Sequence, residues 1–237
     1  MFLSIVIPAF NEEHNIENTL KMVFDVTMPD FVETTEVIIV DDCSSDATWS
    51  ILMKLQETFP QVKTLHLERN SGKGAAVKAG LKIASGDVFM VQDADSELSP
   101  ADIPSLLQAM HRLNVQFVNG SRYLPGIVRP ISSYKRYLAN RLFTFFTSLL
   151  INVKFTDMAC GYKVIHRELY RKLNIRENRF GFEAELIIKA MRVKRNNVAE
   201  VPVNYFPRNN GEGKKLKNSD GFKILWTVMK YGLFRVN

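Results

Sequence analysis

Five short apolar runs, each closed by polar residues and separated from the next by a helical pattern, constrain this chain more than any other feature. Leu3–Ile7, Glu36–Val40, Val62–Leu67, Asp87–Gln92 and Val115–Asn119 read as buried strands. Between them, Glu12–Phe24 sets Ile16, Leu20, Val23 and Phe24 at helical spacing, with acids in the first turn. Asp46 is placed to cap a helix ending near Thr58. A turn at Asn70–Gly74 leads into a helix from Ala75 to Ala84, and Ser99-Pro100 starts another. Strands alternating with helices imply parallel βαβ units. Ligands bind such sheets at the carboxyl ends of the strands. Three polar clusters fall there: Asn11-Glu12, Asp41-Asp42 and Asp93-Ala94-Asp95.

Beyond residue 122 the pattern loosens. Ile131–Ile151 predicts a long helix with Tyr134, Tyr137, Phe143, Phe145 and Phe146 among Lys135, Arg136 and Arg141. Its aromatics suit either a core or the interface plane of an anionic membrane. Phe182–Lys194 predicts a further helix, Val198–Val203 a short strand, Arg208–Lys217 a basic loop and Ser219–Phe234 a last helix. No repeat or linker divides the 237 residues, so one domain with a shared core is expected. Its halves differ in charge: residues 1–122 carry 9 Lys and Arg against 17 Asp and Glu, and residues 123–237 carry 22 against 8. That imbalance suits one half that gathers carboxylates for a cation and another that meets anions. Nucleic acid, phosphate esters and an acidic membrane all qualify as the anion. Cys43 and Cys160 provide no disulfide framework and favour a reducing compartment. The opening residues, broken by Pro8 and Asn11, read as a strand and not as a leader. No run reaches the roughly 20 apolar residues of a membrane span.

Asp93, Asp95 and Glu97 alternate after a strand end, a spacing that lets oxygens converge on a hard cation such as Mg2+ or Mn2+. A lone Asp-x-Asp also serves simply to solvate a loop; its position beside Asp41-Asp42 favours the metal. Asp42 is either a turn residue or an acceptor for a ribose or base edge, with Phe10 able to stack on a base and Glu12 to bond a ribose hydroxyl. Asn70-Ser-Gly-Lys-Gly74 lacks the upstream Gly and following Ser or Thr of a P-loop, so Lys73 is either a nucleotide contact or part of a structural turn. Arg122 follows a strand end and offers a planar fork to a pyrophosphate. Arg208, Lys214 and Lys215 form a basic loop suited to closing over phosphates, or simply a solvated one. Asp157 is an isolated acid in the basic half, either a local cap or a group that orients a hydroxyl. The four His show no metal spacing, and a Ser/His/Asp site has no support.

Taken in order, SIVIPAFNEEHNI, EVIIVDDCSSDAT, NSGKGAAVKAGL, DADSELSP, NGSRY, TDMACGYKV, FGFEAELI and AEVPVNY resemble family 2 glycosyltransferases, from Leu3 to about Tyr231. Within them the likeness is to polyprenyl-phosphate sugar synthases of the dolichyl-phosphate glucosyltransferase and mannose synthase type. The resemblance implies a GT-A fold: an α/β, Rossmann-like, mostly parallel sheet flanked by helices, with a basic helical extension on the acceptor side. It makes residues 1–122 the nucleotide-sugar and metal half and residues 123–237 the acceptor half. It assigns the nucleoside to Pro8, Phe10, Glu12 and Asp42, and the metal and diphosphate to Asp93 and Asp95, with Glu97 standing where relatives often carry Gln. It matches Arg122 to the arginine of the family's Gly-Ser-Arg, Arg136 (or Lys135) to an acceptor-phosphate contact, and Arg208 and Lys215 to the basic loop.

The implied reaction is inverting transfer of a hexose from a UDP- or GDP-linked donor to a polyprenyl phosphate, with Mg2+ or Mn2+ as cofactor. Glucose is favoured over mannose by the TDMACGYK segment. The enzyme would lie peripherally on the inner, cytoplasmic face of a membrane. Two rivals stand beside it. Transfer to a sugar hydroxyl needs a true base, for which Asp157 is the candidate. A nucleic-acid-binding module is opposed by the acids at the strand ends.

Overall fold

The computed structural model describes residues 1–126, 133–179, 181–193, 197–207 and 218–234, with only the backbone of Arg136 and of residues 218–220. In chain order the elements are β1 (Phe2–Ala9), α1 (Ile16–Phe24), β2 (Thr34–Asp41), α2 (Thr48–Thr58), β3 (Val62–His66), α3 (Lys73–Ile83), β4 (Val88–Val91) and α4 (Ile103–Leu113). There follow β5 (Phe117–Ser121), α5 (Tyr134–Ile151), β6 (Lys163–His166), α6 (Arg167–Leu173), α7 (Gly181–Val193), β7 (Val198–Pro202) and α8 (Asn218–Val228), which runs on into a π-helical turn at Met229–Leu233. The strands form one sheet in the order β3-β2-β1-β4-β6-β5-β7.

The continuous apolar runs are buried on both faces, as parallel strands under helices must be. Alternate residues feed two layers. Leu3, Ile5, Ile7, Val37, Ile39, Val88 and Met90 pack with α1, α2 and α4. Val6, Ile38, Val40, Phe89 and Val91 face the other way, toward α3, α6 and α7. α4, α5 and α6 each stop on an asparagine in the left-handed region, Asn114 (φ 49°), Asn152 (φ 54°) and Asn174 (φ 47°). Asparagine tolerates that conformation better than other side chains with a Cβ.

The expectation of parallel pairing holds for β3-β2-β1-β4 and for β5-β7. It fails at β6, which the sequence pattern did not reveal and which runs antiparallel to both β4 and β5. Its four residues, Lys163–His166, include a lysine and are too few for a periodicity to mark them. The reversal matters for the site. An antiparallel strand enters the sheet where its neighbours finish, so the segment ahead of β6, Asp157–Tyr162, arrives at the carboxyl ends of β4 and β5.

Several boundaries differ from expectation, among them the start of α1, at Ile16 and not Glu12. α3 starts at Lys73, because Gly72 (φ 97°) takes a left-handed turn just before it. A Cβ on Gly72 would lie 2.6 Å from Arg179 Cγ. β5 starts at Phe117, two residues later than its apolar run. On α5 the aromatics divide between core and surface. Phe143 packs against the core, whereas Tyr134, Phe145 and Phe146 are exposed.

Candidate active site

The loops at the carboxyl end of the sheet are tied together by bonds between backbone N–H groups and side chains. Asp42, directly after β2, donates its N–H to Ala9 O (2.8 Å) and accepts the N–H groups of Ser71 (2.8 Å) and Gly72 (2.7 Å). It thus ties the ends of β1 and β2 to the turn that launches α3. Asn11, at φ 50°, accepts the N–H of Ser45 (2.8 Å). Glu12 is buried and accepts a bond from Asn15 (2.8 Å). Asp46 lies one residue ahead of the α2 N-cap position and accepts the Thr48 N–H (2.9 Å). Pro8 and Phe10 are half-buried beside these groups. The nucleoside candidates Pro8, Phe10, Glu12 and Asp42 therefore share one edge.

The loop after β4 is braced from three sides. Gln92 accepts the Tyr162 hydroxyl (2.6 Å) and donates to Asp93 O (3.0 Å). Thr19 of α1 donates to Ala94 O (3.1 Å). Asp95 accepts the Glu97 N–H (3.1 Å), and Glu97 accepts the Tyr205 hydroxyl (2.9 Å). Burial and the Glu97 charge push the Tyr205 phenol above its usual pKa, so it stays the donor.

Among the described residues no three His, Cys, Asp or Glu side chains gather closely enough to hold an ion by themselves. Asp93, Asp95 and Glu97, the metal candidates, sit on the loop after β4. Lys73 reaches this loop, its Nζ 2.6 Å from Asp93 Oδ1 and 2.5 Å from Glu183 Oε1. Burial disfavours the ammonium, but the two carboxylates outweigh it and raise its pKa above the ordinary lysine value. Lys73, expected at the nucleotide, is thus engaged by two acids.

Arg122 follows β5, and its guanidinium forms a fork with Asp157: Nε to Oδ2 at 2.7 Å and Nη2 to Oδ1 at 2.9 Å. The Arg122 N–H also donates to Asp157 Oδ2 (3.0 Å), Asn140 of α5 donates to Oδ1 (2.9 Å), and the guanidinium lies 5.0 Å from the Tyr205 ring centroid. The Asp157 side chain is 0% exposed. Burial, the largest single influence, would raise its pKa; the Arg122 charge together with the hydrogen bonds from Arg122 and Asn140 outweighs it and holds the carboxyl below the usual carboxylate range. A carboxylate enclosed and stabilised in this way is a poor base. Asp157, the isolated acid of the basic half, is thus occupied by Arg122 and Asn140.

Glu200 of β7 closes the knot from below, accepting the N–H groups of Thr156 (2.8 Å) and Asp157 (3.2 Å) and the Asn119 amide (3.0 Å). Sequence reasoning gave no role to Glu183, Tyr205, Asn140 or Glu200. Glu183, Glu200 and Tyr205 stand inside recognisable segments, FGFEAELI and AEVPVNY, which was the available signal. Arg136 lies in α5 with its side chain outside the description, and Arg208, Lys214 and Lys215 fall outside the described residues. Among the described residues no helix is long and apolar enough to cross a membrane.

The sequence model of Glycosyl transferase family 2 matches residues 4–173. A dolichol-phosphate mannosyltransferase from Pyrococcus furiosus is 30% identical over 236 residues, 98% of this chain and 64% of the relative. A dolichyl-phosphate beta-glucosyltransferase from Dictyostelium discoideum is 28% identical over 220 residues, 86% of this chain and 66% of the relative. The chain therefore spans just under two thirds of the length of these two proteins. In fold it is similar to the crystal structure of glucosyl-3-phosphoglycerate synthase from Mycobacterium tuberculosis in complex with Mn2+, uridine diphosphate and glucosyl-3-phosphoglycerate. The TM-score is 0.72 at 20% identity, covering 98% of this chain and 80% of that one. With the match running from β1 through α6, and the polar clusters of the matched part grouped at the carboxyl end of a largely parallel sheet, this chain belongs to glycosyl transferase family 2.

Proposed function

We propose that this chain transfers a hexose, glucose by first preference and mannose by second, from a nucleoside-diphosphate sugar to a polyprenyl phosphate. The observation that carries the choice of acceptor is the enclosure of Asp157 by Arg122 and Asn140. A sugar hydroxyl has to lose a proton as it attacks, whereas a phosphate monoester is already ionised near pH 7. A site whose candidate base is locked in an ion pair suits the second kind of nucleophile. Positioning and electrostatics then carry the rate.

In this reading Phe10, Glu12 and Asp42 hold the nucleoside, and Arg122 faces the diphosphate from the Tyr205 side. Arg136, Arg208 and Lys215 hold the acceptor phosphate and screen two anions from each other. The donor set suits a hard divalent ion: Asp93 supplies partly exposed oxygens that already attract a cation, and Gly161 has no Cβ to crowd Asp93 Oδ2. Asp93 and Asp95 would hold Mg2+ or Mn2+, and the ion when bound offsets charge on the departing diphosphate as a Lewis acid. Attachment to a membrane surface fits the exposed apolar stripe of α5 and the basic character of the second half.

The test is a donor screen with UDP-glucose and GDP-mannose against undecaprenyl phosphate, with and without Mn2+, counting label in the organic phase. Metal-dependent label is expected with one donor, and Asp93→Asn and Asp95→Asn are each expected to lower turnover by about 100-fold or more. Transfer to a free sugar hydroxyl with none to the lipid phosphate would overturn the reading.

A further inference from the structure

Lys73 occupies an unusual position for a charged side chain at a sheet end. It is the first residue of α3, and its backbone is fixed by the turn before it, where Gly72 N–H is held by Asp42 at 2.7 Å. The following turn is pinned as well, with Ala75 N–H donating to Asn178 O at 2.8 Å. From that anchor the ammonium reaches two carboxylates on different elements, Asp93 after β4 and Glu183 in the first turn of α7. All three side chains are mostly enclosed, with 21%, 21% and 17% of their surface exposed.

We propose that Lys73 is a built-in counter-ion that holds the cation position at Asp93 in the ligand-free enzyme, competes there with the divalent metal, and yields it by moving wholly onto Glu183. The inference rests on the reading of Asp93 as a metal ligand. Two cations held at contact distance by one carboxylate, even on its two oxygens, repel each other strongly. An enclosed ammonium also cannot simply let go, because an unpaired buried charge is costly. Glu183 resolves the conflict, since Lys73 already touches it and keeps a partner when Asp93 is taken. Lys73 therefore lowers metal affinity and Glu183 raises it, by linkage of the two cation sites.

The experiment is a titration of Mn2+ alone against the whole chain, followed by electron paramagnetic resonance of the free ion, for the parent protein, Lys73→Met and Glu183→Gln, with circular dichroism melts alongside. Lys73→Met is expected to bind Mn2+ more tightly, by between about 5- and 150-fold. Glu183→Gln is expected to bind it more weakly, because the lysine then has only Asp93. A general loosening of the site would weaken both, so the opposite directions separate the proposal from a structural role. Equal or weaker binding by Lys73→Met, or equal or tighter binding by Glu183→Gln, overturns it, and if one variant fails to fold the other decides. Absence of Mn2+ binding to all of them also overturns it, while the lipid-phosphate reading is judged separately by its turnover assay.

Discussion

Asp157 shows how much a single enclosed carboxylate asks of its surroundings. Its oxygens receive the Arg122 fork, the Arg122 N–H and the Asn140 amide. Removing one partner of a buried ion pair leaves the other uncompensated, which costs about 3–5 kcal/mol. Asp157→Asn should lose about that much in urea unfolding, and the double change with Arg122→Met should recover much of it. The pH sense follows from the direction of the shift. Because the folded pKa lies below the unfolded value of 3.8, the stabilisation is fully present above that value and is lost as pH falls through the folded pKa. The gap between parent and Asp157→Asn should therefore stay constant from pH 7 to about 5 and close below pH 3.8. A gap unchanged in strong acid would count against the ion pair as its source. Asp157 was noticeable in the sequence as an acid among basic residues. The pairing was not, because Arg122, read from the sequence as a fork for a pyrophosphate, lies 35 positions earlier and meets Asp157 where the antiparallel β6 enters the sheet.

Among elements, α5 is the clearest case of a helix with two apolar faces. Thr144, Thr147 and Ile151 are buried, and Phe143 and Leu150 pack against the core. On the outer side Tyr134, Leu138, Leu142, Phe145 and Leu149 recur at helical spacing and are exposed, Tyr134 to 73%, Phe145 to 61% and Leu149 to 67%. Lys135 and Arg141 flank them. An outer stripe of this kind, beside cations, suits the plane of an anionic bilayer. Phe145→Ser combined with Leu149→Ser should weaken sedimentation with phosphatidylglycerol vesicles by about tenfold or more. Because both side chains face outward, the melting temperature should stay nearly the same. Undiminished vesicle binding would remove α5 from the interface. The sequence made the helix itself readable through its length, but not the division of its aromatics. That division depends on which side meets α7 and the π-helical turn, and no local pattern encodes it. The same reasoning explains β1, β2 and β4, whose long apolar runs declare burial on both faces, and β6, whose burial is imposed by strands far away in the chain.

At the scale of the whole molecule, charge and topology divide the chain differently. Charge separates an acidic first half from a basic second half at residue 122. The sheet does not respect that boundary: β6, from the second half, lies between β4 and β5 of the first, and β5 in turn pairs with β7. Pulling the halves apart would break the β4–β6, β5–β6 and β5–β7 ladders together and expose Val118, Val164 and Phe117, which lie in layers on opposite faces. Neither half retains a closed core after such a separation, so we expect one cooperative unit. Calorimetry should give a single transition whose measured enthalpy equals the van't Hoff value. In hydrogen exchange under mild denaturant, the slowest amides of β1 and β2 should converge on the same opening free energy as those of β5 and β6. Two transitions, or earlier exchange of β5 and β6 together while β1 and β2 stay protected, would mean that the charge boundary is also a folding boundary. The interleaving has a consequence for the chemistry as well. Asp93 and Arg122 are both held against the short segment ahead of β6, by way of Gln92–Tyr162 and Arg122–Asp157. The two sides of the cleft are thus set by one stretch of chain, and a site of this kind keeps its geometry only while the sheet is whole.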